Sequence, residues 1–353
     1  MIKVGITLGD INGIGPEIII KALRDSRMFT EFTPIIYGSG RVLSFYKKTL
    51  NEEEFSYQTC KSSLEFIPKK VNLINVWNDE VKIEPGVINQ TGGKYALLSL
   101  QNAVEDLASN KLDVLVTAPV CKEALQKNGF NFPGQTEFLA DYAHSQQVLM
   151  IMCSEQCKVA LVTTHIPIKE VPNKISSEIV FDKIICFEQS LKKDFGIIRP
   201  KIAVFGLNPH AGENGKIGDE EEKHIIPAIQ KARKENVLAF GPFPADSFFG
   251  SKQIQQYDGI LAMYHDQGLT AFKALSFEDG VNYSAGLPIV RTSPDHGTAF
   301  DIAGKNLASE FSFRNAIYLA VDIYKNRIHF KELNKNPLPL NNDKADKKVS
   351  PIE

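Results

Sequence analysis

A chain of 353 residues, 43% hydrophobic and 23% charged, is long enough for two domains, or one large one, around a substantial core. Its formal net charge of −2 excludes bulk attraction to nucleic acid or to an anionic membrane surface, while leaving room for a local basic patch that holds a phosphate. No uninterrupted apolar stretch approaches the roughly twenty residues of a membrane span.

Met1-Ile2-Lys3-Val4-Gly5-Ile6-Thr7 reads as an immediate strand with no small-residue cleavage site behind it, so a cytoplasmic location is expected rather than export. Short apolar runs at residues 3–8, 33–37, 71–76, 113–117, 148–152, 159–163, 202–205 and 259–263 are strand candidates. Amphipathic stretches lie between them. In 95–108, Ala96, Leu97, Leu100, Ala103, Val104 and Leu107 fall on one helical face, and 219–235 reads similarly, with Pro227 placed to kink or break it. Strands alternating with helices predict an α/β fold with a largely parallel sheet. From residue 331 the composition turns polar, and a loosely attached tail is expected over 331–353. The five cysteines are an odd number in a long chain, which favours a reducing compartment over a disulfide framework. Cys153 and Cys157 have no matching second pair for a metal site and are expected in the core.

Five motifs carry chemistry. Gly9-Asp10-Ile11-Asn12-Gly13-Ile14-Gly15-Pro16-Glu17 follows the first strand and opens an apolar helix, with Pro16 suited to the first turn and free amides able to face an anion. The spacing is not the dinucleotide-binding Rossmann fingerprint, and a bland strand-to-helix turn explains the glycines equally well. Next, His165, His210 and His265 each close an apolar, strand-like run. Any one of them alone is explained as a polar residue ending a strand. Three in the same setting bring in, on equal terms with that reading, imidazoles converging beyond strand ends on a divalent metal, with coordination positions left for substrate. Asp246 and Asp266 accompany them, as residues that orient a histidine, touch the metal, relay a proton, or merely cap helices. Last, Arg291-Thr292-Ser293-Pro294-Asp295-His296-Gly297-Thr298-Ala299-Phe300-Asp301-Ile302-Ala303-Gly304-Lys305 is dense in turn formers and polar groups, as a cofactor-wrapping loop would be.

The N-terminal motif and the His296–Gly304 loop together resemble the isocitrate and isopropylmalate dehydrogenase superfamily. With the three histidines between them, residues 3–324 resemble the 4-hydroxythreonine-4-phosphate dehydrogenase family of pyridoxal phosphate biosynthesis. The resemblance implies an isocitrate dehydrogenase-like α/β/α fold of two domains with a non-Rossmann cofactor site and an active-site cleft between the domains, at a homodimer interface. Residues 1–125 plus 286–330 would form the first domain and 126–285 the second. It implies NAD or NADP held by the loop carrying Asp295, His296, Gly297, Thr298, Asp301 and Gly304. One divalent ion per subunit (zinc, magnesium or cobalt) would be held by His165, His210 and His265. Substrate contacts would come from Gln135, Thr136, Lys273, Asn282 and Arg291, and proton movement from Asp246, Asp266 or Lys273. The sister activity on a four-carbon sugar acid phosphate, threonate or erythronate 4-phosphate, and a phosphate acyltransferase on the same fold are the rival readings. The chain departs from the family at Gln135, where histidine is usual, and at Ile11-Asn12, where Pro-Ala is usual. Glutamine can donate a hydrogen bond to phosphate but carries no charge.

Overall fold

The computed structural model describes residues 1–62, 64–145 and 148–336. Its strands are β1 (Ile2–Thr7), β2 (Phe32–Gly38), β3 (Gln58–Cys60), β4 (Asn72–Asn75), β5 (Val114–Thr117), β6 (Leu149–Cys153), β7 (Lys158–Leu161), β8 (Lys201–Phe205), β9 (Leu238–Phe243), β10 (Gly259–Ala262), β11 (Val281–Ala285) and β12 (Arg291–Pro294). They form one sheet in the order β3-β4-β2-β1-β5-β12-β11-β6-β7-β10-β8-β9. Every pairing is parallel except β12 with β11, β11 with β6, and β6 with β7. Those three antiparallel steps reverse the direction of β7, β10, β8 and β9 relative to β1, β2 and β5. The expected α/β architecture and largely parallel sheet are present, and each of the eight strand candidates overlaps an observed strand.

Strand periodicity builds the layers. Along β8, Ile202 and Val204 join one buried cluster while Ala203 and Phe205 join another; along β5, Val114 and Val116 separate from Leu115 in the same way. One face of the sheet carries a continuous core that takes in the helices Gly15–Leu23, Ser177–Lys193 and Phe311–Leu333. On the other face the core is split in two. One cluster gathers β2, β5 and the helix Gln90–Ala108; the other gathers β7, β8, β10 and the helix His265–Ser276. The candidate site lies between these two clusters.

Three local outcomes bear on the site. The helix expected from 95 starts at Gln90, because the Asn89 side chain accepts from the Gly92 amide at 2.8 Å. Gly92 and Gly93 there are obligatory: a β-carbon would lie 2.4 Å from Asp10 Oδ1 or 2.2 Å from the Ala124 carbonyl oxygen. The 219–235 stretch is broken as expected. It runs as a π-turn, Glu221–Ile225, and then as the α-helix Ile226–Lys234 with Pro227 in its first turn. Finally, the helix Phe311–Leu333 reaches past the point where a tail was expected, so 331–333 are helical; 337–353 lie outside the described residues. Cys153 and Cys157 are buried, and all five cysteines are free thiols.

Candidate active site

A cleft of about 300 Å³ opens between the two split clusters, with Leu125 of one and Leu269 of the other in its wall. That volume is at the lower end of the range for small-molecule sites. The sheet's central strands supply Met150, Asn282, Arg291 and Ser293. Gln135, Thr136 and Glu137 arrive on the first turn of the helix Gln135–Tyr142, and His265 and Lys273 arrive two turns apart on the helix His265–Ser276.

Arg291 dominates the electrostatics. It is 3% exposed and donates from Nε and Nη2 to Thr117 Oγ1 and from Nη1 to the hydroxyls of Thr136 and Ser284 at 3.3 Å. Burial pulls its pKa down to about 10, partly offset by the Glu137 carboxylate, so it stays cationic at neutral pH. Among the described residues its hydrogen-bond partners are all neutral hydroxyls. A buried cation without a bound counter-charge is costly, and an anionic ligand group in the cleft would complete it.

Around it stand polar atoms that are buried and lack partners among the described residues: Gln135 Oε1, Asn282 Oδ1 and His296 Nε2. Gln135 uses its amide nitrogen on the Ala118 carbonyl at 3.4 Å. His296 donates from Nδ1 to the Gly297 carbonyl, and burial holds its pKa below the usual histidine value, leaving Nε2 as an acceptor. Lys273 pairs with Asp295 Oδ1 at 3.0 Å, and burial of that carboxyl raises its pKa against the pull of the lysine.

The histidines divide. His165 and His265 face each other across 5.7 Å between ring centroids, and Asp266 accepts from His265 Nδ1 at 2.7 Å, which frees His265 Nε2 as a lone-pair donor. His210 does not join them. It lines a second pocket, of about 570 Å³, with Asp246 and with Gln267, Thr270, Ala271 and Ala274 on the opposite face of the His265–Ser276 helix. Among the described residues no three histidine, cysteine or carboxylate side chains of one chain come together as a metal would need. The convergence of three imidazoles expected from the sequence is therefore not met within a single chain: sequence shows that each histidine ends a strand, but not on which side of a helix its loop falls.

The C-terminal loop also divides. Asp295, His296 and Gly297 line the cleft, whereas Thr298, Asp301 and Gly304 lie beyond its wall. The Thr298 carbonyl accepts from the Ile14 amide at 3.0 Å, and a β-carbon on Gly304, where φ is +72°, would lie 2.9 Å from Pro85. The loop thus rests on the Gly9–Glu17 motif and on Pro85, joining the two ends of the chain. Sequence reasoning passed over Thr117, Ser284 and Glu137. Thr117 ends a recognised strand and carries the kind of side chain a ligand site uses there; Ser284 sits in a strand whose alternation of Val281, Tyr283 and Ala285 was readable.

Comparison with known proteins places the chain in a family. Residues 30–320 match the family described as pyridoxal phosphate biosynthetic protein PdxA. The chain belongs to that family. A 4-hydroxythreonine-4-phosphate dehydrogenase of Bacteroides thetaiotaomicron is 48% identical over 96% of this chain and 93% of its own. A relative from Oceanobacillus iheyensis, provisionally named a D-threonate 4-phosphate dehydrogenase, is 41% identical over 91% of this chain and 97% of its own. The crystal structure of a 4-hydroxythreonine-4-phosphate dehydrogenase from Klebsiella pneumoniae matches at a TM-score of 0.78 and 35% identity, covering 91% of this chain and 98% of that one.

Proposed function

We propose that the protein oxidises 4-phosphooxy-L-threonine to 2-amino-3-oxo-4-phosphooxybutanoate, which then loses carbon dioxide to give 3-amino-2-oxopropyl phosphate. The observation that carries this is Arg291, a buried guanidinium whose described partners are hydroxyls only, in a cleft with three further unpartnered polar atoms. Such a site calls for a small ligand that is both anionic and rich in hydrogen-bonding groups.

The residues fit the groups this chemistry needs. His165 and His265 form two-thirds of a tridentate imidazole set, with Asp266 fixing one tautomer. His210 with Asp246, on the far side of the helix, is presented outward from its own cleft, which favours a homodimer in which His210 of the partner subunit completes the set. When bound, a divalent metal (zinc, magnesium or cobalt) acidifies the substrate hydroxyl and the nicotinamide of NAD or NADP accepts a hydride. Arg291 and Thr136 hold the phosphate, and Asn282 and Gln135 offer their free oxygens to the substrate's donors. Of the three candidates for moving the hydroxyl proton, Lys273 alone lines the cleft; Asp266 is engaged by His265 and Asp246 lies in the other pocket. Asp295 holds the Lys273 side chain at the cleft wall, and the neutral amine is the form that would take the hydroxyl proton. The loop from Asp295 to Gly304, packed on the N-terminal motif, is assigned to the adenosine side of the dinucleotide.

The split core favours two domains with the cleft between, as in the expected 1–125 plus 286–330 against 126–285, except that Phe130 and Leu139 pack in the first domain's cluster. Among the described residues no helix is long and apolar enough to cross a membrane; with the net charge of −2, a cytoplasmic enzyme that binds neither membrane nor nucleic acid is the reading we adopt.

Oxidation of threonate 4-phosphate is the second reading, favoured by the Oceanobacillus relative and by Gln135, whose free oxygen accepts from a hydroxyl as readily as from an ammonium. NADH production with both substrates, with and without added metal, decides between them. Turnover of 4-phosphooxy-L-threonine at least tenfold more efficient supports the first reading. Turnover of neither substrate overturns both.

A further inference from the structure

Between β8 and the π-turn the chain does something costly. Residues His210, Ala211, Gly212, Glu213, Asn214 and Gly215 have φ of 52°, 50°, 81°, 44°, 54° and 78°, six consecutive residues in the left-handed region, four of them not glycine. L-residues avoid that region unless surrounding contacts dictate it. The two residues that lead into the stretch, Leu207 and Asn208, are held by one buried side chain. Glu221, 2% exposed, accepts from the backbone amides of Leu207 at 2.7 Å and Asn208 at 2.8 Å through Oε1, and from the Asn208 side-chain amide at 3.0 Å through Oε2. Its carboxylate is enclosed by glycines: a β-carbon on Gly206 or Gly212 would lie 2.8 or 2.6 Å from its oxygens. Glu220 takes the second proton of the Asn208 amide at 2.7 Å. Among the described residues no lysine, arginine or histidine pairs with Glu221. Its charge is met by loop N–H groups, which is how a carboxylate fixes a backbone. A second tie comes from the His265 helix, where Gln267 donates to the Gly206 carbonyl at 2.7 Å and accepts from the Met263 amide at 2.7 Å.

We propose that Glu221 is a positioning residue that holds the left-handed loop so that the His210 imidazole is presented for metal binding. This rests on the reading of His210 as a metal ligand. Glu221 itself lies on the π-turn and lines neither the cleft nor the His210 pocket. The device explains why a buried carboxylate sits at the start of that turn: one side chain bonds the backbone at Leu207 and Asn208, just before His210, and lies against Gly212 just after it.

The test uses Co²⁺ as the probe on the purified, metal-stripped full chain, reading its affinity by titration and its visible absorption spectrum. Four proteins are compared: wild type, Glu221→Gln, Glu221→Ala and His210→Ala. Glu221→Gln keeps the size of the side chain, so it remains informative if Glu221→Ala fails to fold. Thermal unfolding of each stripped protein separates loss of fold from loss of positioning. The expected result is a folded Glu221→Gln protein whose Co²⁺ affinity falls at least about tenfold and whose spectrum departs from wild type towards that of His210→Ala. If His210→Ala weakens Co²⁺ binding while Glu221→Gln binds it as tightly as wild type with the same spectrum, the positioning role is overturned and the metal reading stands. If His210→Ala itself binds Co²⁺ as wild type does, the metal reading of His210 fails and the proposal falls with it.

Discussion

Arg291 and Thr117 meet across 174 residues of sequence, with Nε and Nη2 of the guanidinium both donating to the single Oγ1 of the threonine, at 3.0 and 2.6 Å. One neutral oxygen shared by two charged donors holds the fork in place without neutralising it. Arg291→Met, similar in length and uncharged, should therefore leave the fold at least as stable as wild type, since replacing a buried unpaired charge by an apolar side chain is neutral or favourable. It should also raise the Michaelis constant for the phosphorylated substrate about a hundredfold, roughly 3 kcal/mol. Thermal melts with and without inorganic phosphate check the assignment: phosphate should raise the melting temperature of wild type and leave that of Arg291→Met unmoved. An unchanged Michaelis constant would remove Arg291 from the substrate site.

Asp10 gives a pH prediction. It is 1% exposed; Oδ1 accepts from the Asn12 amide at 2.9 Å, while Oδ2 is buried without a partner among the described residues. Burial lifts its pKa from 3.8 to about 6 against the pull of the Asn12 hydrogen bond. A carboxyl whose folded pKa is raised contributes its full stability below the unfolded value and loses it as pH rises through the folded value. Between pH 4 and 6 the protein should lose up to about 3 kcal/mol through this group. Asp10→Asn, which can still accept from Asn12, should match wild type near pH 4 and exceed it by up to about that amount at pH 8. Urea unfolding of both proteins across this range measures the difference, and a difference that does not change with pH would show that Asp10 does not ionise there.

Much of the fold was legible because strands such as Ile202-Ala203-Val204-Phe205 alternate between two buried faces and carry few polar residues. Of the strands passed over, Gln58–Cys60 is short, one is interrupted by Gly241-Pro242, and Arg291–Pro294 is polar, carrying a buried arginine for the cleft rather than apolar residues for the core; Val281–Ala285 alternates and was readable. In the site, the residue types could be read and the partnerships could not. Nothing near Arg291 in sequence announces Thr117, and nothing near His210 announces that its loop turns left-handed over Glu221. Those facts depend on which strands become neighbours, and a linear pattern does not carry them.

Gln135 lines the cleft beside Thr136, whose hydroxyl lies 3.3 Å from Arg291, so a histidine in its place would face the same ligand group. Gln135→His should keep activity on the native substrate within about tenfold, the scale of one net hydrogen bond. It should add a pH dependence to the Michaelis constant near neutrality, with tighter binding as pH falls and the imidazole gains a proton, because an amide does not titrate. Michaelis constants of both forms from pH 6 to 9 test this. Superimposable flat profiles would mean that Gln135 only opens its helix and leaves the ligand to Arg291, Lys273 and Asn282.

The division of the histidines makes a prediction about subunits. His165 and His265 share one cleft, and His210 shares another pocket with Asp246. If each metal set takes two imidazoles from one chain and one from its partner, His210→Ala and His265→Ala homodimers are both inactive. Co-expressing the two chains in equal amounts gives half heterodimers, each with one intact and one doubly damaged set, so activity should return to about a quarter of wild type. The reciprocal pairing discriminates in the opposite direction. Mixing wild-type chains with chains carrying both substitutions leaves no intact set in the heterodimer if sets are shared, and one if each chain builds its own. Activity per total chain should then be about a quarter of wild type in the shared case, against about half in the unshared case. Separating the heterodimers by two affinity tags and measuring NADH formation and bound metal in each settles the arrangement. An inactive His210→Ala/His265→Ala heterodimer, with activity surviving in the wild-type/double-variant one, would mean that the His210 loop swings round the helix to complete the set within its own chain.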